Sequence, residues 1–472
     1  MERKAYSELL DWKADGCRTP LILLGCRQVG KTFLAKRLGE NEYERCIYLN
    51  FAENDDDRML FEGNLDSRSI LDRIVLSKNV GVLPGRTLLI LDEIQECDNA
   101  YYSLKPLSAD GRFDVLATGS FLGVVLESKR KKDEHRVSPM GYCRTVMMHP
   151  MDFEEFCWAM DVNKDLLSTV AGCIRSDTEV DPYYNKILND LFRRYLVVGG
   201  MPAAVKAYSE TDDYSETMRA LDDIVTILKL DAGKYSNNAD MMRIHACLMS
   251  IPSQLASDKR GFQYLDIEKV KGSGKRLYGT SISWLENAGI ALRCRNLLSV
   301  DPPLENNVDE DTFKLYLCDT GLLMALSGYQ DVHEIVMGDP YVNNGSLMEN
   351  AVANALYRKG HPLYYYAKKN STLEIDFVMK HAGSVCPVEV KSGRNKRSKS
   401  LNTLLAEKNR RRTGIKVCEG NVATDVNGAV HMPQYGPCLM GGSPAPDFPP
   451  VDVEAMNRSF TGADGSHGED DP

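Results

Sequence analysis

The chain has 472 residues, 43% of them hydrophobic and 26% charged, with 13 cysteines and a formal net charge of −10. That length exceeds one ordinary core and calls for roughly two to four globular domains. The acidic balance excludes a generic polyanion binder, so any nucleic-acid contact must come from local basic patches, and no apolar run is long enough to span a bilayer.

The start, Met1-Glu2-Arg3-Lys4-Ala5-Tyr6, lacks the apolar region of a signal peptide. The cysteines show no C-x-x-C pairs, which argues for reduced thiols in a cytoplasm rather than a disulfide frame or a zinc site. Residues 2–14 have the period of an amphipathic helix, with Tyr6, Leu9, Leu10 and Trp12 as its apolar members. Covering a sheet edge is the preferred reading of that helix, ahead of packing beside a nucleotide. Leu21-Ile22-Leu23-Leu24 reads as a buried strand. It runs into Gly25-Cys26-Arg27-Gln28-Val29-Gly30-Lys31-Thr32, which fits G-x-x-x-x-G-K-[ST], and then into a helix from Phe33. Strand, glycine-rich loop and helix are the context in which this spacing cradles phosphates. Gly25 and Gly30 let bare amides approach an anion, and the helix start adds unpaired N–H groups and a positive dipole end. Gly25 through Phe33 is therefore the candidate nucleotide site. Within it Lys31 would reach the outer phosphates and Thr32 would offer its hydroxyl to Mg²⁺.

Cys46–Phe51 reads as a second strand, followed by a polar, acidic stretch. Thr87-Leu88-Leu89-Ile90-Leu91-Asp92-Glu93 is apolar throughout and ends in paired acids, as a buried parallel strand does when its carboxyl end meets a ligand. Asp92 would hold the Mg²⁺ shell, and Glu93 would orient or deprotonate an attacking water. The extra strand between the two motifs, with Glu beside Asp, points to the P-loop ATPases that carry a catalytic glutamate. Phe113–Ser120 reads as the next strand, ending either in a sensor of the γ-phosphate (Thr118 or Ser120) or in a plain polar turn. Lys129-Arg130-Lys131-Lys132 reads as a solvated loop. Thr145–Met148 is the fifth strand, and Pro150–Phe156 opens a helix.

Residues 160–250 have mostly helical periodicity. In their midst Tyr195–Pro202 carries Gly199-Gly200, read as punctuation between helices in preference to a lid over the nucleotide. Lys271, Lys275 and Arg276 precede a helix with Ile282, Leu285 and Ala288 on its apolar stripe. Gly289 ends that helix, and Ile290–Cys294 looks like a strand. Helix, turn and strand suggest a winged-helix-like module. Its Glu286 and scarcity of base-reading groups weigh against DNA contact there.

Phe313–Asp319 reads as a strand, and Met348–Leu356 as a helix that carries Glu349. Leu373–Met379 and Pro387–Gly393 are alternating strands joined at His381-Ala382-Gly383-Ser384. A tight turn pairs His381 with Ser384, which puts Asp376 opposite Glu389 and Glu374 opposite Lys391 on one face. Ile375, Phe377, Val388 and Val390 then line the other. Opposed carboxylates destabilise a ladder unless a divalent cation joins them. An acid on a helix, an Asp on one strand and Glu-x-Lys on the next form the PD-(D/E)xK nuclease pattern. In it Asp376 and Glu389 would bind Mg²⁺ with Glu349 assisting, and Lys391 would position water or steady charge at phosphorus. The plainer alternative is an amphipathic hairpin with one solvated face. Arg394, Lys396, Arg397 and Lys399 are candidate phosphate contacts. Beyond Tyr435 the composition predicts disorder.

Taken in order, these motifs resemble those of bacterial and archaeal AAA-type P-loop ATPases with an uncharacterised C-terminal region. The resemblance covers roughly Glu2 to Tyr435. It rests on Arg3-Lys4-Ala5-Tyr6 with Trp12-Lys13, Arg27–Thr32, Leu91–Gln95, Gly119-Ser120, Pro150–Phe156, Val198–Pro202, Trp284-Leu285, Cys318–Leu323, Glu374–Phe377 and Glu389–Lys391. It implies an α/β protein with a parallel-sheet ATPase core over 1–160 and a helical lid over 161–235. A winged-helix-like module over 236–310, a restriction-endonuclease-like α/β domain over 311–436 and a disordered tail over 437–472 would come after them. The implied activity is Mg²⁺-dependent ATP hydrolysis, with Lys31 and Glu93 catalytic, coupled to a nuclease-like module that handles DNA through the C-terminal half. The alternative is an ATP-driven switch or scaffold whose nuclease-like domain only binds DNA or protein. Ring formation is common among AAA-type proteins, which makes a homo-oligomer an expectation. Two departures stand out. Cys26 replaces the usual Ala or Pro, harmlessly for a loop that binds through its backbone. Tyr142 comes after Gly141 where a basic residue is usual, leaving Arg136 and Arg144 as arginine-finger candidates.

Overall fold

The computed structural model describes residues 1–441 apart from 17, 121–138, 236–237, 258, 268–273, 340, 342–343, 369–371, 382, 393–397 and 407–412, and apart from the side chains of 140, 234 and 235. Strands β1 (Leu21–Gly25), β2 (Arg45–Asn50), β3 (Thr87–Asp92), β4 (Asp114–Gly119) and β5 (Arg144–Met148) form a five-stranded sheet. All its pairings are parallel, in the order β2-β3-β4-β1-β5. β4 thus lies between the two strands that carry the motifs. Every residue of β3 is buried because both faces of the sheet are covered. Leu88 and Ile90 join Leu21, Leu23, Leu34 and Leu38 in one core, whereas Leu89 and Leu91 join Ile22, Ile47, Ile70 and Leu104 in another. Helix Lys31–Glu42 covers the first face, and helices Ser67–Lys78 and Asp98–Asp110 cover the second. The N-terminal helix Lys4–Ala14 buries Ala5, Leu9 and Trp12 against the edge strand β5.

A helical run comes next: Phe153–Ala159, Lys164–Arg175, Pro182–Val198, Pro202–Thr211, Tyr214–Tyr235 and Asn238–Leu255. Asp152 and Glu155 form a reciprocal capping box on its first helix. The Gly199-Gly200 turn is a joint between distant segments. A methyl group on Gly200 would overlap the Met151 carbonyl, and its N–H donates to the buried Asp319 carboxylate at 2.5 Å. Helix Pro182–Val198, expected in a lid, instead seats the C-terminal part. Asn185 donates to the Gly420 carbonyl at 3.0 Å and accepts from the Tyr435 hydroxyl at 2.8 Å.

Helix Lys275–Asn287 and the Gly289 turn lead into β6 (Ala291–Leu297), which pairs antiparallel with β7 (Val308–Leu317). The helix, turn and strand are present as expected, yet β6 and β7 do not stand alone. β8 (Tyr364–Ala367) runs parallel to β6, and β9 (Glu374–Ile375) closes a sheet ordered β7-β6-β8-β9. The boundary expected between 310 and 311 therefore falls inside β7. Helix Gly345–Arg358 ties into the same sheet. The fully buried Asn350 amide accepts from the Leu317 N–H at 2.7 Å and donates to its carbonyl at 3.1 Å.

The third sheet takes β10 (Phe377–His381), β11 (Ser384–Val390), β12 (Gly414–Val417), β13 (Ala423–Thr424) and β14 (Ala429–Met432), in the order β10-β11-β12-β14-β13. Phe377, Val388, Val390, Ile415 and Val417 share one core with Ala351 and Ala355 of helix Gly345–Arg358. Val378 and Val385 share another with Leu401 and Leu404 of helix Lys399–Leu405. Both faces of the hairpin are covered, so neither is solvated along its length. The disorder expected from 437 does not hold for residues 437–440. Gly436–Leu439 is a short helix, and Pro437, Cys438, Leu439 and Met440 are buried, the last three in the core that also holds Phe153 and Cys157. Their side chains are apolar enough to dock, a fact that the neighbouring Gly and Pro content hid. The tail beyond 441 lies outside the described residues.

Candidate active site

β1 delivers the phosphate loop with its first glycine against the end of β5. A methyl group on Gly25, at φ 156°, would overlap the Met148 carbonyl. Lys31 opens the next helix, and its ammonium donates to the carbonyls of Gly25 (3.0 Å) and Cys26 (2.9 Å). Burial pulls its pKa below the ordinary lysine value, against the pull of nearby Glu93. The Thr32 hydroxyl lies 3.0 and 3.1 Å from the two carboxylate oxygens of Asp92. Asp92 is fully buried at the end of β3 and also accepts from the hydroxyls of Tyr48 (2.7 Å) and Thr118. A hydroxyl and a carboxylate brought together from the loop helix and β3 are the hard oxygen donors that Mg²⁺ takes. The donor set therefore fits the ion, which Thr32 and Asp92 would hold.

Glu93 adopts a left-handed conformation, φ 54°, as the chain turns out of β3. Its N–H donates to the Thr118 hydroxyl at 3.3 Å, and its carboxylate accepts from the Gln95 amide. Of the two sensor candidates, Thr118 is spent on Asp92. Ser120 is buried with a hydroxyl that makes no hydrogen bond among the described residues. Phe33 is 59% exposed at the mouth of the loop, and Val29 is fully buried beneath it. Arg27 leaves the loop for an ion pair with Asp231 of helix Tyr214–Tyr235 at 2.5 Å; this is where the expected lid region reaches the site. Gln28 sits at φ 66°. Arg144 pairs with Asp15 at 2.6 Å, both half exposed, and Arg136 lies outside the described residues.

Sequence reading placed Arg3 in a motif and gave it no role in the site. Its guanidinium is buried and donates to the carbonyls of Val29 (2.7 Å) and His149 (2.6 Å), with Glu155 3.2 Å away. The N-terminal helix thus covers the sheet edge and touches the loop as well. Tyr48 and Gln95 were likewise given no role there. No spacing rule links a residue of β2 or a turn to Asp92 and Glu93.

A second cluster forms where β7, helix Gly345–Arg358 and the β10–β11 hairpin converge. The hairpin register holds from His381↔Ser384 to Phe377↔Val388. It then stops, which corrects the expected pairs of Asp376 with Glu389 and Glu374 with Lys391. Glu374 and Ile375 leave the hairpin to pair with β8, placing Ile375 in a different core from Phe377. Asp376 stands at the crossing and accepts from the Val390 N–H at 2.7 Å. Burial, then the charges of Glu349 and Glu389, hold its carboxyl well above the ordinary range. Lys391 pairs with Glu389 at 2.6 Å, and one oxygen of Glu389 is buried without a partner among the described residues. Glu349 accepts from the Tyr316 hydroxyl at 2.8 Å.

Lys314 of β7 was not foreseen. Its ammonium lies 3.1 Å from Glu374 and 3.6 Å from Glu349. Burial works against its charge, yet Glu349, Asp376 and Glu374 raise its pKa above the ordinary lysine value. Among the described residues no group of three or more His, Cys, Asp or Glu is placed to hold a metal ion. The expected metal pair of Asp376 and Glu389 lies in a cluster that also carries Lys314 and Lys391. Lys399 is exposed. The basic run 129–132, Lys271, Arg394, Lys396 and Arg397 lie outside the described residues.

In comparisons with known proteins, residues 18–157 match a family model described as AAA domain. Two families described as domains of unknown function, DUF8612 and DUF4143, match residues 189–333 and 344–435. No curated protein matches. A Walker-type ATPase of Pyrococcus abyssi aligns at 14% identity over 69% of this chain and 95% of its own, with a TM-score of 0.40. PCH-2 of C. elegans aligns at 13% identity over 48% and 69%, with a TM-score of 0.28. The parallel five-stranded sheet falls within the residues that match the AAA domain model. Among the described residues no helix is long and apolar enough to cross a membrane.

Proposed function

We infer that this chain, built on an AAA-type P-loop domain, binds and hydrolyses ATP with Mg²⁺ and couples that cycle to a nuclease-like DNA-processing module in its C-terminal half. The single observation that carries the ATPase reading is the Thr32–Asp92 pair beside buried Lys31, with Glu93 one residue farther on. Bound Mg²⁺ supplies Lewis-acid neutralisation of phosphate charge. The protein does the rest. The loop amides and Lys31 hold the outer phosphates. Glu93, kept in place by Gln95, takes the proton of the attacking water, and Ser120 offers its hydroxyl to the γ-phosphate. Steady-state phosphate release tests this. Lys31→Ala should abolish nucleotide binding or turnover. Glu93→Gln should keep binding and slow hydrolysis by about 10²–10⁴-fold; unchanged turnover would remove Glu93 from the role of base.

The nuclease reading is supported by the convergence of Glu349, Asp376, Glu389 and Lys391. A second reading has its own observation. Lys314 already neutralises these acids, as suits a platform that binds DNA or protein without cutting. Supercoiled plasmid and single-stranded DNA, incubated with Mg²⁺ or Mn²⁺ with and without ATP, separate the two. Cutting that vanishes in Lys391→Ala supports the nuclease. No cutting with ATP turnover intact supports the platform.

A further inference from the structure

Two cysteines meet beneath the phosphate loop. Cys26 is the second residue of the loop, and Cys318 is the residue just past the end of β7. They lie nearly three hundred positions apart in the chain, yet the Cys318 N–H donates to the Ile290 carbonyl at 2.9 Å, one residue past the Gly289 turn that packs on Cys26. Both side chains are buried, at 3% and 4% exposure. Gly289, at the turn before β6, packs on Cys26 from the side, where an added methyl group would meet the Cys26 backbone nitrogen at 3.6 Å. Cys26 and Cys318 line the same small cavity, about 20 Å³, together with Gly25, Met148 and His149. A space of that size admits one water-sized molecule, and hydrogen peroxide is little wider.

We propose that Cys26 and Cys318 form a reversible disulfide that ties the phosphate loop to β7 and silences the nucleotide site under peroxide. The chemistry balances. The Cys26 sulfur attacks one peroxide oxygen, the O–O bond breaks, and Cys26 becomes a sulfenic acid as water leaves. The Cys318 sulfur then displaces the sulfenic oxygen, forming the S–S bond and releasing a second water. Two thiols have lost two electrons and two protons to one peroxide. Cys26 is the better attacking group. The Cys318 thiol and then Lys31 favour its thiolate, whereas the same contact holds Cys318 in its thiol form. The Cys26 carbonyl is one of the two that hold the Lys31 ammonium. A bond through its side chain fixes the loop in that arrangement.

The test uses the full chain treated with hydrogen peroxide, blocked with iodoacetamide and digested without reductant. Mass spectrometry should find a Cys26–Cys318 linked peptide that dithiothreitol removes. ATP turnover should fall at least tenfold on oxidation and return with dithiothreitol. Cys318→Ser and Cys318→Ala should keep basal turnover and lose the peroxide response. Linkage of either cysteine elsewhere, or none, overturns the pair. An equal loss of turnover in the Cys318 variants, or linkage without loss in the wild type, overturns the silencing. The turnover arm rests on the ATPase reading, whereas the linked peptide does not, so the two fail separately.

Discussion

His149 sits at the end of β5 with its ring edge-on to Tyr357 and its carbonyl held by Arg3. Burial, then the charges of Arg358 and Arg3, lower its pKa to about 3, with Asp152 pulling the other way. A histidine depressed in the folded state binds its proton more readily in the unfolded chain. Stability on this account is complete above the unfolded pKa near 6.5 and is lost as pH falls toward about 3, at no more than about 1.4 kcal/mol per pH unit. His149→Gln should flatten that part of a urea-midpoint profile between about pH 6.5 and 4; an unchanged slope would assign it to other groups. The meeting of Thr32 with Asp92 beside Lys31 was legible in the sequence because a glycine-rich loop after one strand and paired acids at the end of another are patterns with a known placement. Arg3, Tyr48 and Lys314 were not. Each acts across a long chain separation through one side chain that any surface position could carry.

The helical turn at Gly199-Gly200 and the β10–β11 hairpin show which elements the sequence specifies. The hairpin register came from one tight turn and held for as long as the ladder lasted. Its end could not be read in the same way, because β9 leaves for β8, a partner no local pattern names. Gly-Gly before Pro marked a turn, but its three-way packing against Met151 and Asp319 appears only in the fold. Gly200→Ala should therefore destabilise by about 3 kcal/mol, since the added methyl meets backbone that cannot move aside. Chemical unfolding would show it, and a loss under about 0.5 kcal/mol would mean that the turn relaxes freely.

Over the whole molecule, the N-terminal segment is joined to the start of the helical run by buried charge as well as by apolar packing. Arg3 and Glu155 are each 6% exposed in their side chains, 3.2 Å apart. Arg3→Met should cost about 3–5 kcal/mol by leaving the buried Glu155 carboxylate without its cation, and Arg3→Met with Glu155→Gln, which keeps an oxygen for the Lys4 and Asp152 N–H groups, should recover much of it. A double variant no more stable than the single would place the stabilisation in the carbonyl contacts of Arg3 instead. The parallel sheet of the N-terminal part could be read from its motif sequence. The sharing of β6 and β7 with β8 could not, since strands that pair across distant segments leave no mark at their boundaries. That sharing sets two side-chain clusters along the C-terminal half of β7. Lys314 stands among the acids, and Cys318, just past the strand, stands under the phosphate loop. Four residues of extended chain separate them by about 13 Å. A strand held in an antiparallel ladder neither stretches nor slips by one residue, so a shift of either cluster along β7 would have to carry the other with it.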